Sequence, residues 1–408
     1  MRWLITLLLL VFFQWYSYQA LKTAISNRWI LYGYVFFTVI IVGNLLFYTL
    51  ILERNTTNEP RLMYAIGFFL SLLIFQLLVS VILLAEDVFR IPQALYSFLK
   101  RVPEQTQFIP SRRKIISQIA LGLASIPFAS LLYGMYRGKY NYKVLSYNLE
   151  FEDLPDAFDG FKITQISDIH SGSFDNQTKV QYGVDLVNQQ KSDLVLFTGD
   201  LVNNRADEIK PWIKIFNKIK AEFGVFSILG NHDYGDYMRW ESPVAKRKNM
   251  EDLYDAHNEM GWDLLLNESR FIEKDGDRLA IIGVENWGSG FKKAGDLNKA
   301  LNKVSEKDFK ILLTHDPSHW EAQVIPHPFK IHLTLSGHTH GMQFGIEIPG
   351  VIKWSPAKWR YKQWAGLYGE NKQYLNVNRG FGYLAYPGRV GMWPEVSVIT
   401  LSKSKSSI

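Results

Sequence analysis

Five short polar blocks, spread between residues 168 and 340 of this 408-residue chain, leave few ways to fold it. They are Asp168-Ile169-His170, Gly199-Asp200, Gly230-Asn231-His232-Asp233, the single His315, and Gly337-His338-Thr339-His340. Each closes a short run rich in Ile, Leu, Val, Phe and Thr, at 161–167, 193–198, 225–229, 309–314 and 331–336. Runs of this length, bounded by Gly, Asp or Pro, read as buried strands. In open α/β sheets ligands bind in the crevice outside the carboxyl ends of the strands, so polar residues at five strand ends belong to one site. Helical patterns at 177–191, 206–223 and 251–260 alternate with the strands, which places this part of the chain in the α/β class, with helices covering sheets.

The donors gathered at that site are the carboxylates of Asp168 and Asp200, the amide of Asn231 and the imidazoles of His170, His232, His315, His338 and His340. The chain has no cysteine, so no thiolate contributes. An oxygen and nitrogen set suits Zn, Mn or Fe, and this one exceeds the three or four protein ligands that one catalytic zinc takes. Two divalent metal ions account for the surplus.

In its order this set of blocks resembles the calcineurin-like metallophosphoesterase superfamily, whose pattern runs Asp-x-His, Gly-Asp, Gly-Asn-His-Asp/Glu, His and Gly-His-x-His. The resemblance extends over residues 144–401. More closely, the chain is similar to membrane-anchored bacterial members, which share the lead-in Leu154-Pro155 to Asp159-Gly160-Phe161 and the closing stretch Arg379-Gly380 to Pro394-Glu395.

The resemblance implies a four-layer α/β/β/α sandwich of two sheets, and a hydrolase acting on phosphoric ester bonds. By the family pattern Asp168, His170 and His340 hold one metal, Asn231, His315 and His338 hold the other, and Asp200 bridges them. Two such ions about 3.5–4 Å apart stabilise the attacking and leaving oxygens and acidify a bound water, which makes water the nucleophile. His232 stands outside the ligand set, free to act as general acid or as a donor to a phosphoryl oxygen, and Asp233 is expected to orient its ring.

Ahead of these blocks lie four apolar stretches, 3–21, 29–52, 63–84 and 115–136, each near the length of about 20 residues that a bilayer requires. The expected organisation is a helical transmembrane region over 1–138, the catalytic domain over 139–402 and a polar tail over 403–408. The connection 85–114 carries Arg90, Lys100, Arg101, Arg112, Arg113 and Lys114, against only Arg54 and Arg61 in the connection 53–61. By the positive-inside rule the richer connection is cytoplasmic, which puts the catalytic domain outside the cytoplasmic membrane. The formal charge of +6 is therefore read as membrane anchoring, with no nucleic-acid partner expected. Ser111-Arg112-Arg113-Lys114 also resembles a twin-arginine export signal, with simple anchoring as the alternative.

Weaker positions carry plainer expectations. His257, His327, His332 and His319 are read as surface or core histidines, with an approach to the cleft as the lesser alternative for His319, and Asn203 and Asn204 as supports of the metal ligands, substrate contacts or a capped loop. Arg379, Arg389 and the loop Trp287-Gly288-Ser289-Gly290 are candidate phosphate contacts. The segment 354–368 interleaves Trp354, Trp359, Tyr361, Trp364 and Tyr368 with Lys358, Arg360 and Lys362, a mixture that suits a lipid headgroup interface, with a lid, a nucleic-acid surface and plain packing as the other readings.

Together these readings describe a membrane-anchored dimetal phosphoesterase acting on phosphomonoesters or phosphodiesters of an envelope or lipid-linked substrate. The alternatives are a cytoplasmic-face pyrophosphohydrolase of a nucleotide-linked lipid and a non-catalytic membrane receptor that retains the fold. A transporter is disfavoured because the four stretches contain no charge.

Overall fold

The computed structural model describes residues 2–51, 60–100, 110–288, 290–348 and 350–404. The connections 52–59 and 101–109, on which the orientation reading depends, lie outside the described residues, as does most of the polar tail. The chain divides into two units, one ending at Tyr136 and the other beginning at Arg137.

The first unit is all helix: α1 (Arg2–Ala24), α2 (Arg28–Ile51), α3 (Pro60–Lys100) and α4 (Pro110–Tyr136). Three segments, Arg28–Leu50, Pro60–Pro92 and Arg112–Tyr136, are long and apolar enough to cross a membrane. α1 is helical throughout but is not among them. Small residues Ala20, Ala120 and Ala124 cluster with Tyr16, Val79 and Leu83, where α1, α3 and α4 meet closely. The helix that carries the apolar stretch 63–84 is longer than the stretch itself. It continues to Lys100, through Glu86 and Asp87, and both carboxylates are met by Arg113 of α4, with Asp87 at 2.9 Å. The spans are therefore not free of charge. Tyr16 adds a hydrogen bond to Asp87, and Gln76 donates to Tyr34 at 3.0 Å, so these polar groups are paired within the bundle.

In the second unit the strands are β1 (Lys143–Phe151), β2 (Lys162–Ile166), β3 (Leu194–Phe197), β4 (Val225–Ser227), β5 (Asp263–Leu264), β6 (Glu268–Lys274), β7 (Asp277–Gly283), β8 (Phe309–Leu313), β9 (Leu333–Ser336), β10 (Ile346–Ile348), β11 (Ile352–Trp354), β12 (Gly366–Glu370), β13 (Gln373–Val377) and β14 (Glu395–Lys403). One six-stranded sheet has the order β1-β14-β2-β3-β4-β5, a second has β12-β13-β9-β8-β7-β6, and β10 pairs only with β11. Strand alternation explains why both faces of each sheet are buried. In β8, Phe309, Ile311 and Leu313 point between the sheets while Leu312 points the other way, and Leu279 and Ile281 of β7 alternate likewise with Ala280 and Ile282. The inner residues join Ile163, Leu194 and Leu196 of the first sheet in one core.

The outer face of the second sheet packs on α8 (Leu297–Ala300) and Trp320. The outer face of the first is covered by α5 (Gln177–Gln189), α6 (Ile213–Phe216) and α7 (Pro243–Glu259), with Phe197, Phe216 and Trp262 in ring contact. The result is the four-layer α/β/β/α sandwich, and the five strands expected from the sequence are β2, β3, β4, β8 and β9. Asn176 caps α5 through Lys179 N–H at 3.0 Å, and Ser242 caps α7 through Ala245 N–H at 3.1 Å, which starts α7 earlier than its apolar pattern does. The helix expected over 206–223 is instead a series of single turns, since Pro211 removes a backbone donor in its middle.

Candidate metal centre

The strand ends converge. β2, β3, β4 and β5 run parallel, as do β7, β8, β9 and β13, so the loops after β2, β3, β4, β8 and β9 open where the sheets present their carboxyl ends. Asp168, His170 and His340 form one group whose donor atoms lie within 4.8 Å of one another, and Asp200, His315 and His338 form another. Asp200 joins them: its Oδ2 is 3.1 Å from Nε2 of His315 and 3.5 Å from Nε2 of His170. Within the first group His170 and His340 approach to 3.0 Å through their Nε2 atoms, and His340 Nε2 is 3.2 Å from Asp168 Oδ1.

Asn231 reaches the second group. Its Oδ1 lies 2.8 Å from Nδ1 of His338, while its Nδ2 donates to Tyr237 at 2.7 Å, so the oxygen is the atom aimed inward. On the far side of the same ring, Nε2 of His338 meets the Tyr361 hydroxyl at 2.7 Å and Asp316 Oδ2 at 3.6 Å. These contacts fix the ring's orientation from behind, the kind of outer support that metal-ligating histidines have.

Strain marks the site. Asp168, His170, Asp200, His338 and His340 all adopt positive φ, at 51°, 47°, 61°, 72° and 49°. Each such residue costs on the order of 1 kcal/mol or more, which the surrounding structure must offset. Two glycines make room. A Cβ at Gly230 would sit 2.2 Å from Asp200 Oδ1, and one at Gly337 would sit 2.2 Å from Asp168 Oδ2.

The electrostatics suit a cation. Burial drives His170 and His340 below the ordinary imidazole range and His338 down to about 4, so these rings are neutral and offer a lone pair. His315 is the exception: burial opposes its charge, yet Asp200 beside it prevails and raises it to about 10. Asp168 and Asp200 remain ionised below the ordinary carboxylate range, against burial, through their histidine neighbours. Nε2 of His315 makes no well-aligned hydrogen bond although Asp200 Oδ2 lies 3.1 Å away, and no donor reaches Oδ2 of Asp316. A buried cluster of carboxylates and imidazoles fits divalent cations bound by oxygen and nitrogen.

His232 stands beside both groups. Its backbone N–H donates to Asp200 Oδ1 at 2.8 Å, its ring is half-buried against Tyr237 at 4.5 Å between centroids, and its Nδ1 is 2.8 Å from the Asn203 carbonyl. The expectation that Asp233 orients this ring is corrected. Asp233 instead accepts the backbone N–H groups of Asp200, Gly230, Leu201 and Val202, and the carbonyl of Asn203 takes the His232 ring proton.

The weaker candidates separate cleanly. Arg379 is buried between Glu395 and Glu347, so it is an internal ion pair. Arg389 is fully buried, donates to the carbonyls of Gly382 and Arg379, and approaches His340 Nδ1 at 2.9 Å, where it braces the ring. His319 stacks on Trp287 and is satisfied by Thr314 and Gln323, while Ser289 of the loop that follows Trp287 lies outside the described residues. His257 is buried on Ser227, His332 bonds Lys310 N–H and Asp153, and His327 accepts from Phe329 N–H. Asn203 and Asn204 give their backbone N–H groups to Glu208, the capped-loop outcome. Asp316, Tyr237 and Tyr361 were missed as site residues. Only Asp316, next to His315 in the chain, carried a positional hint.

Two facing six-stranded sheets with clustered carboxylates and imidazoles at their strand ends define a metallohydrolase. Residues 161–342 match the family model described as calcineurin-like phosphoesterase, and residues 1–139 match one described as probable calcineurin-like phosphoesterase, transmembrane domain. The chain belongs to the membrane-associated calcineurin-like metallophosphoesterases and is a phosphoester hydrolase.

Among its relatives, an uncharacterized metallophosphoesterase, YkuE, of Bacillus subtilis is 29% identical over 275 residues, covering 67% of this chain and 90% of the relative. A transmembrane protein with metallophosphoesterase domain of Danio rerio is 27% identical over 282 residues, covering 67% and 60%. An uncharacterized metallophosphoesterase of Helicobacter pylori is 27% identical over 304 residues, covering 73% and 74%.

Proposed function

We propose that this protein hydrolyses phosphomonoesters or phosphodiesters at a two-metal centre, outside the cytoplasmic membrane, on an envelope or lipid-linked substrate. In this reading Asp168, His170 and His340 hold one ion, Asn231, His315 and His338 hold the other, and Asp200 is shared. The supporting observation is the position of Asp200 Oδ2 between His315 and His170, one from each set. A pair of divalent ions supplies Lewis-acid polarisation of the phosphoryl oxygens and acidifies water to near neutrality.

The residues around them do the rest. Because Asn203 offers a carbonyl, Nδ1 of His232 carries the proton and Nε2 is left to face the substrate. In its cationic form that nitrogen donates to the leaving oxygen, and the fixed Nδ1 contact keeps the ring aimed. Asp316 and Tyr361 fix the His338 ring from the side away from Asn231. Asp233 clamps the Gly199-Asp200 turn against the Gly230 turn through four backbone donors.

The catalytic side follows from the Lys and Arg excess of 85–114. Arg113 is engaged with Glu86 and Asp87, which favours anchoring over a twin-arginine signal for that segment.

The test is metal content together with turnover. Full-length protein purified in detergent, loaded with Mn or Zn, is expected to hold about two ions per chain and to hydrolyse a chromogenic phosphodiester or phosphomonoester. Asp200→Asn is expected to lose metal and at least about a hundredfold in turnover. Stoichiometric metal without turnover on any phosphoester overturns the reading in favour of a receptor. A C-terminal tag protected on intact spheroplasts overturns the extracytoplasmic assignment and favours the cytoplasmic-face pyrophosphohydrolase.

A further inference from the structure

The β10–β11 hairpin is built with its faces reversed. Its register pairs Ile346 with Trp354, Glu347 with Lys353 and Ile348 with Ile352, so the four apolar residues share one face and the two charged residues share the other. A ribbon on a water-soluble surface turns its apolar face to the core. Here the charged face is the one held by the domain: both oxygens of Glu347 accept from Arg379 at 2.8 Å, and Lys353 donates to the Ala365 carbonyl at 2.5 Å. The apolar face looks outward, with Ile346 and Ile348 51% and 52% exposed, Val351 at the turn 78%, and Trp359 just beyond 74%.

Two further observations say what covers this face. Trp359 is flanked by Lys358 and Arg360, both exposed and without an acidic partner among the described residues. An apolar strip with tryptophan and cations free of carboxylate neighbours matches the headgroup layer of an anionic bilayer.

The hairpin also lies at the end of the domain where the chain enters. Gly138 abuts the Arg389 carbonyl so closely that a Cβ would come within 2.1 Å, and Lys143 N–H donates to the Pro394 carbonyl at 2.8 Å. The same segment receives the hairpin, since Gly345 N–H donates to the Val390 carbonyl at 2.9 Å. Residues 137–142, which follow the apolar helix Arg112–Tyr136, reach no more than about 20 Å even when extended.

We propose that the hairpin tip, with Val351 and Trp359, inserts into the interfacial layer of an anionic lipid bilayer. Docked in this way, the wall of the metal centre formed by Tyr361, whose hydroxyl is 2.7 Å from His338, faces lipid headgroups. The substrate class is then a phosphate ester carried by a bilayer lipid. That last step rests on the phosphoesterase reading, whereas the docking does not.

The chain has no cysteine, so one label site is easily introduced. Full-length Val351→Cys, labelled with an environment-sensitive dye and reconstituted in vesicles containing phosphatidylglycerol, is expected to show blue-shifted emission that spin-labelled lipid quenches. The same dye at Glu251→Cys on α7 is expected to show neither. Equal behaviour at the two positions overturns the proposal. Cross-linking of two copies through the thiol of Val351→Cys, without lipid quenching, also overturns it, in favour of a second copy as the occupant.

In a second arm, Val351→Asp is expected to hydrolyse a soluble chromogenic phosphoester at the wild-type rate and a bilayer-embedded phosphoester about tenfold more slowly. Equal loss on both substrates overturns the proposal. Failure of the wild-type protein on every phosphoester sinks the catalytic reading, and the fluorescence arm still decides the docking.

Discussion

The backbone N–H of Asp200 donates to Oδ2 of Asp233 at 2.9 Å, while Asp200 itself is held at a φ of 61°. The shared candidate ligand of the two metal groups is therefore kept in a strained conformation by a residue that is not itself a ligand candidate.

Asp233→Asn tests this clamp. The amide keeps one acceptor oxygen but turns an NH₂ group toward two backbone donors, each costing about 1–3 kcal/mol when left unsatisfied. A fall in stability of at least about 2 kcal/mol is expected, seen as a fall of roughly 4–8 °C in Tm for a domain of this size. Metal affinity is expected to fall with it, measured by titration of the metal-free protein. An unchanged Tm would show that Asp233 is not structural.

Gly230→Ala isolates position from chemistry. Its Cβ would fall 2.2 Å from Asp200 Oδ1, so that carboxylate must move. Displacement of a reacting group by about 1 Å costs on the order of a hundredfold in rate. The expected result is that loss with an unchanged circular dichroism spectrum. Wild-type turnover would mean that Asp200 need not sit where it does.

His232→Ala separates proton donation from metal binding. Both metals are expected to remain while turnover falls by about 10²–10⁴. The loss should be smaller for a p-nitrophenyl leaving group, which needs little protonation, than for an alkyl one. A loss independent of the leaving group would argue for phosphoryl positioning instead.

Acid stability follows from histidines outside the metal groups. Burial lowers His257 to about 3, and burial lowers His319 and His332 to about 4. Each is neutral in the fold but takes a proton at about pH 6.5 once unfolded. Folding is therefore unopposed by them above that pH, and stability is lost as pH falls from about 6.5 toward 4. Each histidine is expected to contribute roughly 2–3 kcal/mol of loss by pH 4.5. Urea midpoints measured across this window should fall less steeply for His257→Gln than for wild type. Parallel curves would remove His257 from the account.

The amino-acid sequence by itself determined the α/β class, the strands that carry the polar blocks, the apolar segments ahead of them and the choice of oxygen and nitrogen donors. These properties are local: periodicity follows from which face of a strand is buried, and ligand chemistry from residue type. The apolar stretch ends at Leu84 while α3 runs on, and that the partner of Glu86 and Asp87 is Arg113, on another helix, is not written in the local pattern. Only the tertiary structure decided that Asp233 serves the backbone, that Asn203 aims His232, that Tyr361 and Asp316 stand behind His338, and that β10 and β11 face outward with their apolar side. Each of these is a relation between residues far apart in the chain, or a φ value imposed on a residue that would not choose it. A linear string carries neither until the sheets have closed and the loops are forced together.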